Sequence, residues 1–319
     1  MTFATTLRPD PEGHAPYTCG MAGPSVEIPT RLLVFGMIRE NGTIDAGELY
    51  NVANTCGMSD QQVRLCLRRL VVDGLFDQQG RGRRATFVAT ERGRDAIEPD
   101  IGFMHFAYQQ DRGLAKWDGM WRMIAFAIPE TRRAARDAFR GWLLGLGGAP
   151  MHGALYISPN RWEPLIESEA RRLGLDDSIT FIRSDHIQVG GESDPLRIAR
   201  LLWPIDEIAE RYRHFIDVAR PRLRQLEGSG GGGPSAGAQL RLAFEIAAAF
   251  NRAIKPDPLL PPDLLPQPWA GTTARALLAE CWAHLERTGD PDDEHPAVFR
   301  TYRSLLHEVA TSGDRTMTT

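Results

Sequence analysis

Cysteine is scarce in this chain: Cys19, Cys56, Cys66 and Cys281 are four among 319 residues. They form no CxxC pair and have no histidine at metal-ligand spacing, which excludes a disulfide framework and a zinc-finger pattern. Cys66 falls on an apolar helix face and reads as a small core residue. No apolar run approaches the ~18 residues of a membrane span, and the N-terminus lacks a basic stretch followed by an apolar one. These absences point to a cytoplasmic protein without a membrane partner. Positive charge is not in excess either: 37 Lys and Arg stand against 41 Asp and Glu, for a net charge of −4. Any nucleic-acid binding must then be local. The chain also lacks HExxH and GxSxG. Its eight histidines are scattered, so no catalytic residue, metal set or cofactor is expected.

What is present is concentrated between residues 59 and 94. Ser59 is a good N-cap, and Gln62 three residues later completes a capping box. Val63, Cys66, Leu67, Leu70 and Val71 recur at helical spacing, leaving Gln61, Gln62, Arg64, Arg68 and Arg69 on the other face. Asp73-Gly74 stops the helix, and two short strands follow around a tip that carries Arg81, Arg83 and Arg84. Eight arginines and four acids in this stretch make about +4 locally, within an acidic chain. Helices at residues 29–40 and 44–54 precede it. A helix, a second helix, a tight turn, a third helix and a hairpin are the order of a winged helix-turn-helix. In that reading Gln61, Gln62 and Arg64 face base edges, with Ser59 beside them. Arg68, Arg69, Arg81, Arg83 and Arg84 hold phosphates of double-stranded DNA.

The expected fold class is α+β, in five parts. Residues 1–24 form a mobile tail, 25–98 the winged helix, and 99–116 a connector helix. Residues 117–219 form a central ferredoxin-like α/β sandwich that also serves dimerisation. Residues 220–319 form a C-terminal helical domain. Within the sandwich, strands are expected at 121–129, 153–159 and 178–182, with a fourth at 187–189. Residues 227–237, EGSGGGGPSAG, read as a linker; neither phosphate-loop spacing is met. The run DPLLPPDLLPQPW, residues 257–269, is expected to be extended with its leucines tucked against helices, and helices are expected at 272–287 and 296–310.

Three separated stretches resemble one family. WDGMWRMIAFAIPETRRAARDAFRGWLLGLGGAPMHGALYISPNRW is similar to the centre of the PaaX-type transcriptional repressors, regulators of phenylacetate catabolism. SDQQVRLCLRRLVVDGLFDQQGRGRRATFVATERG resembles that family's winged helix, and DPLLPPDLLPQPWAGTTARALLAECW its C-terminal domain. The resemblance spans about residues 25–310. It implies a homodimer on palindromic operator DNA, released by a small acyl-CoA-like effector; in the best-known branch this is phenylacetyl-CoA. Trp121, Arg122, Arg140, Trp142, Tyr156, Trp162 and Trp203 are candidates for lining the effector pocket, with core packing as the alternative reading. The centre also looks like the small CRISPR-associated nucleases. Glu130, just after the first strand, has no clear partner carboxylate there, so a nuclease stands as an alternative beside a dual activator and repressor.

Overall fold

The computed structural model describes residues 24–39, 41–95, 98–228 and 234–288. The N-terminal tail, Ser229 and the glycines at 230–233, the acidic run at 292–294 and the helix expected at 296–310 lie outside the described residues.

The first unit is built from α1 (Thr30–Gly36), β1 (Thr43–Asp45), α2 (Ala46–Thr55), α3 (Asp60–Val72), β2 (Phe76–Gln79), β3 (Thr86–Ala89) and α4 (Glu91–Asp95). The strands form an antiparallel sheet in the order β1-β3-β2. One expected boundary moves. Ile44 is not helical; it pairs with Phe87 across the β1–β3 ladder. Asp45 then caps α2 by accepting the Glu48 N–H at 2.8 Å, so the helix starts at Ala46. The amphipathic spacing read from 44 was sound, since Ile44 is buried with Ala46, Leu49 and Ala53. Only the availability of β3 as a partner turned its backbone into a strand.

Helix α5 (Glu98–Asp111) leads to the central unit: β4 (Trp121–Phe126), α6 (Arg133–Gly145), β5 (Ala149–Pro150), β6 (Leu155–Ser158), α7 (Glu163–Leu173) and β7 (Ile179–Ser184). Its four strands are antiparallel in the order β5-β6-β4-β7. Alternation along the strands gives the sheet two faces. Ile124, Phe126 and Tyr156 face a core made with Phe139 and Leu143 of α6 and Ile166 and Ala170 of α7. Trp121, Met123 and Ile157 face the opposite way, into a core continuous with the helical part of the chain. The strand expected at 187–189 is a single bridge, Val189 with Glu192, closed by Gly190-Gly191; two residues of ladder do not make a strand.

Helices α8 (Pro195–Leu202), α9 (Ile205–Glu227), α10 (Ala236–Ile254) and α11 (Ala270–Thr288) follow. Helix α9 runs straight across residue 219, where a domain boundary was expected, and accommodates Pro221 in its interior. It packs along both α10 and α11, which supply the apolar contacts that outweigh the backbone bond lost at the proline. Leu259, Leu260, Leu264 and Leu265 of the proline-rich run are buried, as expected, although Pro262–Leu264 form a 3-10 turn and are not extended. Helix α10 also packs against α2, so the first unit and the helical bundle share one core. Beside that contact Arg222 of α9 pairs with Glu245 of α10 at 2.7 Å and donates to the Pro24 carbonyl at 2.9 Å. No helix among the described residues is long and apolar enough to cross a membrane.

Candidate nucleic-acid interface

The capping box at the start of α3 forms as its spacing required. Ser59 Oγ accepts the Gln62 N–H at 3.3 Å, and Gln62 Oε1 accepts the Ser59 N–H at 2.8 Å and its hydroxyl at 3.0 Å. Gln62 is thus committed to the helix end through its oxygen, which leaves only its Nε2 to donate outward. Val63, Leu67 and Leu70 are buried and anchor α3, while Cys66 and Val71 are half-buried. Burial pushes the Cys66 thiol up from its ordinary pKa.

Gln61, Arg64, Arg68 and Arg69 are exposed on the opposite face. Leu65 stands among them, 59% exposed. Gln61, Leu65, Arg68 and Val72 follow one another at i, i+4, i+7 and i+11, a single stripe along the helix. Leu65 was not singled out from the sequence, although an apolar residue off the apolar face was the available signal. A protruding leucine between polar side chains can meet a thymine methyl.

The hairpin tip is a 3-10 turn, Gly82–Arg84, between β2 and β3. Arg81 and Arg84 are exposed and have no acidic partner among the described residues. Arg83 is turned toward the protein, where its Nη2 meets Asp60 Oδ2 at 3.1 Å.

The seven candidate effector residues are not brought into one opening. Trp121 stacks on Trp203 at 6.4 Å between ring centroids, and Trp203 Nε1–H donates to the Gly147 carbonyl at 2.8 Å. Both belong to the core on one side of the sheet. Tyr156 and Trp162 are buried on the other side, with Trp142 packed against them half-buried. The Tyr156 hydroxyl accepts from Arg140 Nε at 3.1 Å. Arg122 is buried and donates to Asp118 at 3.1 Å and to the Pro159 carbonyl at 3.1 Å. Those bonds from Arg122 hold the Asp118 carboxyl well below the usual carboxylate range. Alternation on the strands sends neighbours to opposite faces, so the aromatic side chains are divided between two cores, while Arg140 is exposed.

A cleft of about 370 Å³ lies elsewhere, between the end of α5, the proline-rich run and α11. Its walls include Gln110, Lys116, Leu259 and Trp269. On its floor Arg275 forms a bidentate pair with Asp111 at 2.5 and 2.7 Å. The Tyr212 hydroxyl donates to Asp257 at 2.5 Å. Burial raises the pKa of both Asp257 and Tyr212. No sequence signal joined Asp111 to Arg275, which are 164 positions apart. Glu130 is exposed and paired with Arg136 at 2.6 Å. No group of three or more metal-ligating side chains occurs among the described residues.

Residues 114–196 match the family model described as the PaaX protein central Cas2-like domain, and residues 203–295 match that of the PaaX-like protein C-terminal domain. The transcriptional repressor PaaX of Escherichia coli (strain K12) is 26% identical over 239 residues, which are 74% of this chain and 72% of that protein. Among solved structures, the uncharacterized protein Rv0674 from Mycobacterium tuberculosis superposes with a TM-score of 0.46 at 18% identity, covering 81% of this chain and 94% of that one. With more than half of its length taken up by the family's central and C-terminal domains, and a repressor of that name similar over about three quarters of the chain, the chain belongs to the PaaX family.

Proposed function

We propose that this protein is a transcriptional regulator, a repressor of a catabolic operon, that binds double-stranded operator DNA and is not an enzyme. The observation that carries this reading is the exposed face of α3, with Gln61, Arg64, Leu65 and Arg68, lying beside an arginine-bearing hairpin tip. The first unit is a winged helix in this reading, with α3 in the major groove and the tip against the sugar-phosphate backbone. The central β-α-β-β-α-β order with antiparallel strands supports a ferredoxin-like sandwich. One winged helix reads few base pairs, so a homodimer on a palindromic site is part of the proposal.

A small effector, acyl-CoA-like by family resemblance, releases the DNA. The cleft at the end of α5 supports effector control, because that helix follows the DNA-reading unit directly. It is a better place for an effector than the aromatic side chains of the two cores.

The test is fluorescence anisotropy with a duplex selected from a random-sequence pool by the wild-type protein. The Arg64→Ala/Arg68→Ala variant is expected to bind at least about tenfold more weakly, as loss of base or phosphate contacts requires. Full affinity in that variant, with unchanged dependence on salt, sinks the reading.

A further inference from the structure

Arg83 was expected to hold a phosphate, and the structure gives its guanidinium other work. Nη1 donates to Asn51 Oδ1 of α2 at 3.0 Å. Nη2 donates to Asp60 Oδ2, in the first turn of α3, at 3.1 Å. The guanidinium carbon stands 5.3 Å from the centre of the Tyr50 ring. One side chain at the wing tip therefore touches both helices of the helix-turn-helix. Its neighbours Arg81 and Arg84 make no such contacts among the described residues.

The backbone around Arg83 is drawn to the same place. The Ala46 N–H donates to the Ala85 carbonyl at 3.0 Å, which ties the end of the tip to the start of α2. At Gly47 a Cβ would lie 3.1 Å from the Arg83 carbonyl oxygen, so the absence of a side chain lets α2 and the tip approach this closely. The tip is thus docked on α2 and braced against the first turn of α3, with Arg83 as the strut.

We propose that Arg83 is a positioning residue for DNA recognition: it fixes the distance between the wing and the reading helix and does not itself neutralise a phosphate. Arg81 and Arg84 are the wing side chains left to meet DNA. The inference rests on the DNA-binding reading above and assigns Asp60 and Asn51 a part in it. An acidic residue in the first turn of a reading helix would repel DNA if it stood alone; here its carboxylate is paired.

Two opposite expectations follow for the same variants. A phosphate-holding arginine contributes about 0.9 to the slope of log affinity against log salt, and its loss removes that amount. A strut contributes to affinity but leaves the slope in place. Loss of an exposed ion pair with its accompanying hydrogen bond should lower affinity about three- to tenfold. Asp60→Ala should also weaken binding if its role is to hold the strut. If Arg83 grips DNA, removing this negative charge should strengthen binding instead.

The experiment measures anisotropy across a salt series, with the selected duplex and full-length protein, for wild type, Arg83→Ala, Asp60→Ala, the double variant and Arg84→Ala. Hydrogen exchange across residues 80–85 is measured on the same proteins without DNA. Expected are weaker binding at unchanged slope for Arg83→Ala and Asp60→Ala, no further loss in the double variant, and a slope lowered by about one for Arg84→Ala. Exchange in the tip should accelerate several-fold in Arg83→Ala. A slope that falls by about one in Arg83→Ala, tighter binding by Asp60→Ala, or unaltered exchange in the tip overturns the proposal. Absence of salt-dependent binding by the wild type would instead defeat the DNA reading, and the exchange measurement would still decide whether Arg83 braces the wing.

Discussion

Gly93→Ala is expected to loosen the joint between α4 and the turn joining α3 to β2, within the first unit. Thr90 sits at that joint. Its N–H donates to the Leu75 carbonyl at 3.1 Å, its hydroxyl donates to the Gly74 carbonyl at 2.7 Å, and its Oγ accepts the Gly93 N–H at 3.0 Å. These bonds draw α4 down onto the turn between α3 and β2. A Cβ at Gly93 would stand 2.1 Å from the Leu75 carbonyl oxygen and 3.1 Å from its carbon. Carbon–oxygen contacts settle at about 3.3 Å or more, so α4 has to retreat by roughly 1 Å. That displacement breaks the Gly93–Thr90 bond, worth about 1 kcal/mol net, in addition to the 1–3 kcal/mol typical of overpacking. The sum is about 3 kcal/mol. The first unit shares its core with the helical bundle, so a large cooperative unit feels the loss, at roughly 2–4 °C per kcal/mol. Thermal unfolding followed by circular dichroism should therefore show a melting temperature lower by about 6–12 °C. A Gly93→Ala protein that melts within about 1 °C of the wild type would refute this account of the joint.

Glu245→Ala leaves Arg222, 5% exposed, without its carboxylate beside the α2–α10 contact; a loss of about 3–5 kcal/mol is expected, read by urea unfolding, and a change below about 1 kcal/mol would contradict it. Asp257 has its pKa raised by burial, so the folded chain binds its proton more tightly than the unfolded one. Its contribution to stability is then full below the unfolded value, about 4, and is lost as pH rises toward the folded value. Asp257→Asn should flatten the pH dependence of stability from about pH 4 upward; identical pH profiles for variant and wild type would count against the assignment.

Much of the first unit was legible because its signals are local. The capping box at Ser59 and Gln62, the buried positions Val63, Leu67 and Leu70 and the arginine tip each depend on residues a few positions apart. Ile44 was misplaced because a three-residue strand exists only when another strand lies beside it. The short strand Ala149–Pro150 escaped notice for the same reason. The continuation of α9 past Pro221 was hidden because proline is a stop signal locally, and only packing along two neighbouring helices overrides it. The aromatic residues of the centre are close in sequence, but their division between two faces of a sheet depends on strand register, which is not legible along the chain.

By itself, the sequence determined where charge is concentrated, which helix carries an exposed polar face and which stretches mark the family, since each of these is a property of neighbours along the chain. Only the tertiary structure decided that Arg83 braces two helices instead of standing free, that Arg275 closes on Asp111, and that the first unit is docked on α10. Those outcomes join residues that are distant in sequence, and which distant groups meet is set by how the elements bury their apolar faces against one another, a choice made by the whole chain at once.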